Sequence, residues 1–529
     1  MASKRLAFLR SSQWLGGNNN NASRSTAASV FRGGGKFPLI SQTQTNSSVG
    51  ASTCFYSACR CNSSQAHERP QSSDDKVKDE TRRKGDQDDK KYFKQLSKTS
   101  NPYWIANAEA VFNRLDWNRL TNPKNKTALI ESFNKRFAEV DLETICKLLR
   151  ERDRSTNEEE RKALTEKLVL LGLWVPNETH GESEAIEGEV PKEVFRFGEP
   201  TGESVLEFSK FCNRFGYLRD DQLGNLAYVK SYYLKGPLAE LEEGLIRFSL
   251  NSLVKNDFQL ISVPDIIYPH IIESCGMKTR GERDQVFWLH SEGSDENVCL
   301  SGTAEMSIGG SLQNQVFDEE DLPIKFTSVS RCFRAETSSL EEERGLYRVH
   351  EFTKVEMFGV TANETGIESD ELHQEFRRIE ESNFASLNIH FKTLEMPPSE
   401  LGSSAYRKFD IEAWMPGRKM FGEISSCSNC TDFQSRRLNI RYRPKNAKNP
   451  EDLKYTHTVN GTACAVPRLL VTLVENFQKP DGNVELPQVL KPFMPRSWKD
   501  SMSNFPNHKS LFLRNKSQQD KYVHHRMEK

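Results

Sequence analysis

The side chains able to do chemistry are concentrated between residues 421 and 468. Glu423, Ser425, Ser426, Ser428 and Asn429 all fall within the run FGEISSCSN. Polar groups at that density cost free energy in a core unless each is paired, so the run reads as a binding site. A strand-like stretch with the paired arginines Arg436 and Arg437 follows, then a Gly461-Thr462 turn and a helix that begins Pro467-Arg468. Proline favours the first turn of a helix, and an arginine beside a helix N-terminus makes an anion site. Upstream, Arg334 and Glu336 stand two apart and share a strand face. A planar guanidinium binds carboxylate and phosphate oxygens together, so Arg334 could bring two anions into contact. Taken alone, Glu336 would make a cross-strand ion pair, and Phe352 would be core.

These residues need a scaffold of strands and helices. Pro102–Trp174 looks helical, with Ile130, Phe133, Phe137, Val140, Ile145 and Leu148 near helical spacing and a capping box from Ser155 to Glu158. Two helices sharing the residues from Lys124 to Trp174 give a hairpin of roughly 30 Å at ~1.5 Å per residue. Val175–Gly202, rich in Glu, Gly and Pro, reads as a linker. From Glu203 onward strands and helices alternate, with an amphipathic helix over Leu238–Lys255 and a β-rich run, Phe258–Ile267, that contains Pro264. The expected fold class is α+β.

The chain has 529 residues, enough for several domains, and a formal net charge of −1. A nucleic-acid ligand would therefore need a local basic surface. No apolar run approaches ~18 residues, so none reads as a membrane-spanning helix. Eleven scattered cysteines read as reduced thiols. Cys427 and Cys430 form a lone CxxC with no second pair at zinc spacing, which argues against a metal role. Residues 1–67 hold seven Lys/Arg and no acid, the composition of a mitochondrial presequence; the plainer reading is a disordered tail. Residues 68–101 read as a charged, solvated linker, and residues 496–529 as a polar basic tail.

Four segments, in order, carry a family resemblance. LSGTAEMSIGG (Leu300–Gly310), FRAETSSLEEERGLYRVHEFTKVEMF (Phe333–Phe358), EISSCSN and TVNGTACAVPR resemble the serine loop, motif 2, the metal strand and motif 3 of the class II seryl-tRNA synthetases, in the animal mitochondrial flavour. The resemblance implies an antiparallel sheet flanked by helices over residues 186–495, preceded by a short coiled-coil tRNA-binding arm over 102–185. It implies ATP-dependent ligation of serine to tRNA(Ser) in the mitochondrial matrix, with no membrane partner.

By the same resemblance, Arg334, Glu336 and Arg468 are catalytic. ATP would be bound by Arg334, Ala335, Glu336, Arg348, Val349, His350, Glu351, Phe352, Glu423, Ile424, Ser425, Ser426 and Arg468. Glu423 and Ser426 would hold Mg²⁺ with ATP, since a hard cation prefers carboxylate and hydroxyl oxygens. L-serine would meet Thr303, Ala304, Glu305, Arg334, Glu356, Asn460 and Thr462, and Pro264 would lie in a homodimer interface. The loop TSSLEEER is acidic where tRNA is expected. An inactive paralogue that keeps the fold as a binding module is the competing reading. A structural coiled-coil protein fails on periodicity.

Overall fold

The computed structural model describes Phe93 and residues 100–200, 205–220, 227–280, 285–290, 297–336, 345–479 and 484–494. The residues expected to form a presequence, most of those expected to form a charged linker, the acidic loop after Glu336 and the basic tail lie outside the described residues.

The N-terminal region builds its own small core around Trp104, Phe112, Ile145, Leu168 and Val169. Its main helices are α1 (Lys126–Lys135), α2 (Leu142–Arg154) and α3 (Glu158–Gly172). At ~1.5 Å per residue α2 and α3 are each about 20 Å long, shorter than the expected hairpin. Helix α1 stops at Lys135, and Phe137 adopts a positive φ of 51° and is 69% exposed. The expected run of helical spacing therefore breaks there. Asn157, rather than Ser155, caps α3 by accepting from the amides of Glu159 and Glu160. Ser155 instead donates to the Glu160 carboxylate at 2.7 Å.

This helical region is docked on the rest of the chain. Arg136 donates to the carbonyls of Gly402 (2.7 Å) and Ala405 (3.0 Å). From the other side, Arg437 donates to the Leu173 carbonyl at 2.9 Å. The Glu273 carboxylate accepts from the Trp104 indole at 2.5 Å and from the Asn101 amide at 3.3 Å.

Beyond it lies an eight-stranded sheet. Its strands are β1 (Lys192–Phe197), β2 (Gln259–Leu260), β3 (Ile324–Phe333), β4 (Glu351–Thr361), β5 (Phe391–Glu395), β6 (Arg407–Met415), β7 (Met420–Thr431) and β8 (His457–Ala465), in the order β1-β5-β6-β7-β8-β4-β3-β2. Every pairing is antiparallel except β2 with β3. The expected linker thus contributes an edge strand, β1. Gly461 lies inside β8 rather than in a turn. A Cβ there would come 2.8 Å from Glu380 Oε1 and 3.0 Å from Met357 Cε, so a larger residue would have to displace these side-chain ends.

Helices cover the sheet. Helix α4 (Pro237–Lys255), α6 (Glu368–Ser386) and α8 (Val466–Phe477) contribute Leu241, Leu245, Phe376, Leu470 and Val474 to the main core, while α5 (Ala304–Ser311) packs in a second cluster with Ile271 and Phe358. Helix α8 buries apolar residues almost all round, which fits a fully enclosed helix. The paired arginines sit on a short helix, α7 (Phe433–Leu438), not on a strand.

Candidate active site

A polar cleft of roughly 310 Å³ opens over β4, β7 and β8 and reaches the first turn of α8. Arg334, Glu336, Arg348, Val349, Phe352, Glu423, Ile424, Ser425, Ser426, Thr462 and Arg468 line it. Sequence-distant candidates are therefore brought into one space.

One end of the cleft is cationic. Arg334 follows β3, its Nε donates to the Gly302 carbonyl at 3.3 Å, and its guanidinium lies 5.3 Å over the Phe352 ring. Arg468, in the first turn of α8, is ion-paired to Glu423 at 3.1 Å and lies 4.6 Å over the Tyr347 ring. Lys408 lines the same end and pairs with Asp410 at 2.8 Å. Burial pushes the Asp410 carboxyl up to about 7 against the pull of Lys408. Burial acts the same way on Glu423, but the charges of Arg468 and Lys408 outweigh it, so Glu423 lies below the ordinary carboxylate range. Its side chain is still 39% exposed to the cleft.

The strand carrying Glu423 has a local device. In the β6–β7 ladder Ile411 pairs with Ser425, but the next pair is Glu412 with Glu423, which leaves Ile424 as an extra residue. On a regular strand, residues three apart face opposite ways. The bulge re-aims the chain, and Glu423 and Ser426 both line the cleft.

Thr303, Ala304, Glu305, Glu356 and Asn460 are not among the residues lining this cleft; they form an acidic cluster next to its Arg334 and Lys354. Thr303 caps α5, its Oγ1 accepting from the Glu305 amide at 3.3 Å, and Ala304 is buried behind it. Glu305 Oε1 accepts from the Asn460 amide at 3.0 Å and from the Gln434 amide at 2.6 Å. Glu356, 1% exposed, is ion-paired to Lys354, and Lys354 also donates to Thr462 Oγ1 at 3.4 Å. Burial, helped by the nearby Glu356 charge, pushes Glu305 up to about 7. Burial likewise raises Glu356, against Lys354. Glu356 already has Lys354 as its cation, and a ligand cation beside Glu305 would favour its ionised form.

Some candidates lie elsewhere. Glu336 lines the cleft but is held by Arg348 at 2.7 Å, an ion pair of the kind expected of it taken alone. The His350 ring stands 2.8 Å from the Arg334 carbonyl and 3.2 Å from the Glu336 amide, bracing the turn rather than facing the cleft. Ala335 is outside the lining, its amide donating to the Gln285 carbonyl at 2.9 Å. Glu351 faces away and pairs with Arg331 at 2.7 Å. The Pro264 carbonyl accepts from Ser307 at 2.7 Å.

Sequence reasoning missed Lys354, Lys408 and Gln434. Lys354 and Lys408 each precede an acid by two on a strand, so alternation alone could have placed them on the acid's face. Gln434 gave no signal, because its segment reads as a strand. Among the described residues no cluster of three metal-ligating side chains occurs, and all eight described cysteines are free.

The antiparallel sheet with its polar cleft is the core of a class II tRNA synthetase: the family profile described as tRNA synthetase class II core domain (G, H, P, S and T) matches residues 287–477. The chain is 39% identical over 345 residues to the serine–tRNA ligase of Rubrobacter xylanophilus, a match covering 64% of this chain and 78% of that protein. It belongs to the seryl-tRNA synthetase family. It is also 42% identical over 342 residues to the mitochondrial serine–tRNA ligase of Bos taurus, and the match spans 63% of each chain. The mitochondrial serine–tRNA ligase of Mus musculus matches to the same extent.

Among solved structures it is similar to the cytoplasmic serine–tRNA ligase from Naegleria fowleri in complex with AMP. That match has a TM-score of 0.65 and 27% identity, over 72% of this chain and 97% of that one. The seryl-tRNA synthetase from Pyrococcus horikoshii complexed with ATP matches with a TM-score of 0.59 and 28% identity, over 77% of this chain and 93% of that one.

Proposed function

We propose that this chain activates serine with ATP and transfers it to tRNA(Ser). The observation that carries the reading is a cleft with cationic groups suited to polyphosphate, adjoined at Arg334 and Lys354 by an acidic cluster, Glu305 and Glu356, suited to an ammonium and a hydroxyl. The serine carboxylate attacks the α-phosphorus, the bond to the bridging oxygen breaks, and pyrophosphate leaves. A terminal ribose hydroxyl of the tRNA then attacks the seryl carbonyl, the acyl–phosphate bond breaks, and AMP leaves as the hydroxyl gives up its proton.

Arg334, where cleft and cluster adjoin, binds carboxylate and α-phosphate together and relieves charge on phosphorus. Arg468 holds the far phosphates. Phe352 offers a face to adenine, and Glu336 accepts from its amino group once Arg348 turns to phosphate. Glu305, Glu356, Thr303, Asn460 and Thr462 hold serine. A site built to hydrogen-bond a hydroxyl rejects analogues lacking it, because its buried partners then go unpaired.

Glu423, ionised and open to the cleft, and Ser426, brought beside it by the bulge, are the residues that would hold Mg²⁺ with ATP. The ion, when bound, supplies neutralisation of phosphate charge. A homodimer through Phe258–Ile267 is supported by Leu260 and Ile266, both more than half exposed. A mitochondrial matrix location is supported by the mitochondrial relatives and by the basic, acid-free composition of residues 1–67. We assign residues 102–185 to tRNA binding and 186–495 to catalysis.

The test is amino-acid-dependent ATP–pyrophosphate exchange with serine, threonine, alanine and glycine. Exchange with serine alone supports the reading. A folded protein without exchange overturns it in favour of the inactive paralogue.

A further inference from the structure

We propose that Gln434 is a positioning residue of the serine site, holding one oxygen of Glu305 so that the other is presented to substrate. This rests on the serine-ligase reading above. Gln434 is fully buried on α7. Its Nε2 donates to Glu305 Oε1 at 2.6 Å, and its Oε1 accepts from the Thr458 hydroxyl at 2.7 Å. An ionised carboxylate only accepts, so the amide nitrogen must face Glu305 and the amide oxygen must face Thr458. Asn460 donates to the same Glu305 oxygen at 3.0 Å. Two amides thus occupy Oε1, and Oε2 is the acceptor presented to an ammonium or hydroxyl.

The arrangement answers a local difficulty. Glu305 and Glu356 lie in one buried site, and like charges there drive a proton onto one of them. Amide donors favour the ionised form without adding a cation that would repel the serine ammonium. Lys354 already serves Glu356, and a second ammonium at Glu305 would occupy the place the substrate needs.

The position of the amide is fixed from outside the cleft. Three residues after Gln434, Arg437 donates to the Leu173 carbonyl at 2.9 Å and 3.3 Å, and Arg436 pairs with Asp432 at 2.7 Å. The short helix is therefore pinned against the N-terminal helical region while its first turn reaches into the serine site.

The test uses the full chain and ATP–pyrophosphate exchange from about pH 6 to about pH 9, the range in which a raised carboxyl titrates. Gln434→Met keeps length and removes both hydrogen bonds. The expected result is a serine KM at least about tenfold higher at neutral pH. The acid limb of kcat/KM for serine moves to higher pH, and the ATP KM stays within about twofold because the phosphate end is untouched. Thr458→Val, which releases only the amide oxygen, shifts serine KM in the same direction by less, and it decides the matter if Gln434→Met does not fold.

Unchanged serine KM and pH profile in a folded variant would overturn the proposal and leave Gln434 a packing residue. Loss of kcat with both KM values unchanged would do the same. Absence of serine-dependent exchange in the unsubstituted protein would instead reject the ligase reading itself.

Discussion

In the cleft Arg334, Arg468 and Lys408 line the open space, Arg334 steadied by a carbonyl and a ring, Arg468 by an acid, a ring and carbonyls, and Lys408 by an acid. Beside the cleft Glu356 is buried and Glu305 half-buried, each with several polar partners. On the proposed function, the difference follows from the ligands. A polyphosphate is large, strongly charged and able to bring a cation with it, so exposed positive groups suffice and can be reorganised on binding. A small zwitterion has to be told apart from near-identical molecules. That demands buried acceptors whose loss of a partner is costly. Both ends of the site meet at Arg334.

The largest effect is therefore expected at the junction. Arg334→Ala should lower the serine-dependent exchange rate by about 10²–10³-fold, the usual cost of removing one preorganised charge partner at a reacting centre. A fall of less than tenfold, measured under saturating serine and ATP, would separate the two ends.

Glu305→Gln comes next. It removes an acceptor for the substrate cation, and serine KM should rise about 10- to 100-fold while ATP KM hardly moves. Equal changes in both constants would show that the ends are not independent.

The pH dependence sharpens the contrast. Glu305 is pushed up to about 7 when the site is empty. The protonated form binds an ammonium poorly, so kcat/KM for serine should fall about tenfold per unit below that pH. The stability linkage has the opposite sign. A carboxyl with a raised native pKa contributes stability below its unfolded value, and that contribution is lost as pH rises through about 7. Serine should therefore stabilise the protein more at pH 8 than at pH 6, which thermal unfolding with and without serine would read. An effect independent of pH would remove Glu305 from the serine site.

The smallest effect is expected at Glu351. It lies beside the cleft residues in sequence but pairs outward with Arg331. Glu351→Ala should cost no more than about 1 kcal/mol, as exposed ion pairs do, and leave ATP KM within about twofold. A large rise in ATP KM would bring this residue back among the nucleotide contacts.

The phosphate end was largely legible in the sequence because its arginines stand beside strong local signals. Arg468 follows a proline at a helix start, and Arg334 stands directly after β3. Arg334 and Glu336 lie beyond the strand rather than sharing a strand face as expected. The acidic end was legible only in part. Glu305, Glu356 and Asn460 belong to separate elements that tertiary structure alone brings together, and the donor that orients Glu305 comes from α7, whose residues read as a strand. Gly461 misled for a physical reason. A glycine suggests a turn, but here it makes room in a strand for Glu380 and Met357. The N-terminal region was legible as helical. Its compactness was not, because docking depends on carbonyls capped by Arg136 and Arg437, and backbone acceptors leave no mark in a sequence.

The most direct test of the two-ended site is a crystal structure with a non-hydrolysable seryl-adenylate analogue. The expected result has the ammonium and hydroxyl between Glu305 and Glu356, the bridging group on Arg334 and the adenine over Phe352. The same ligand bound the other way round, or with its amino group away from both glutamates, would contradict the assignment of the two ends.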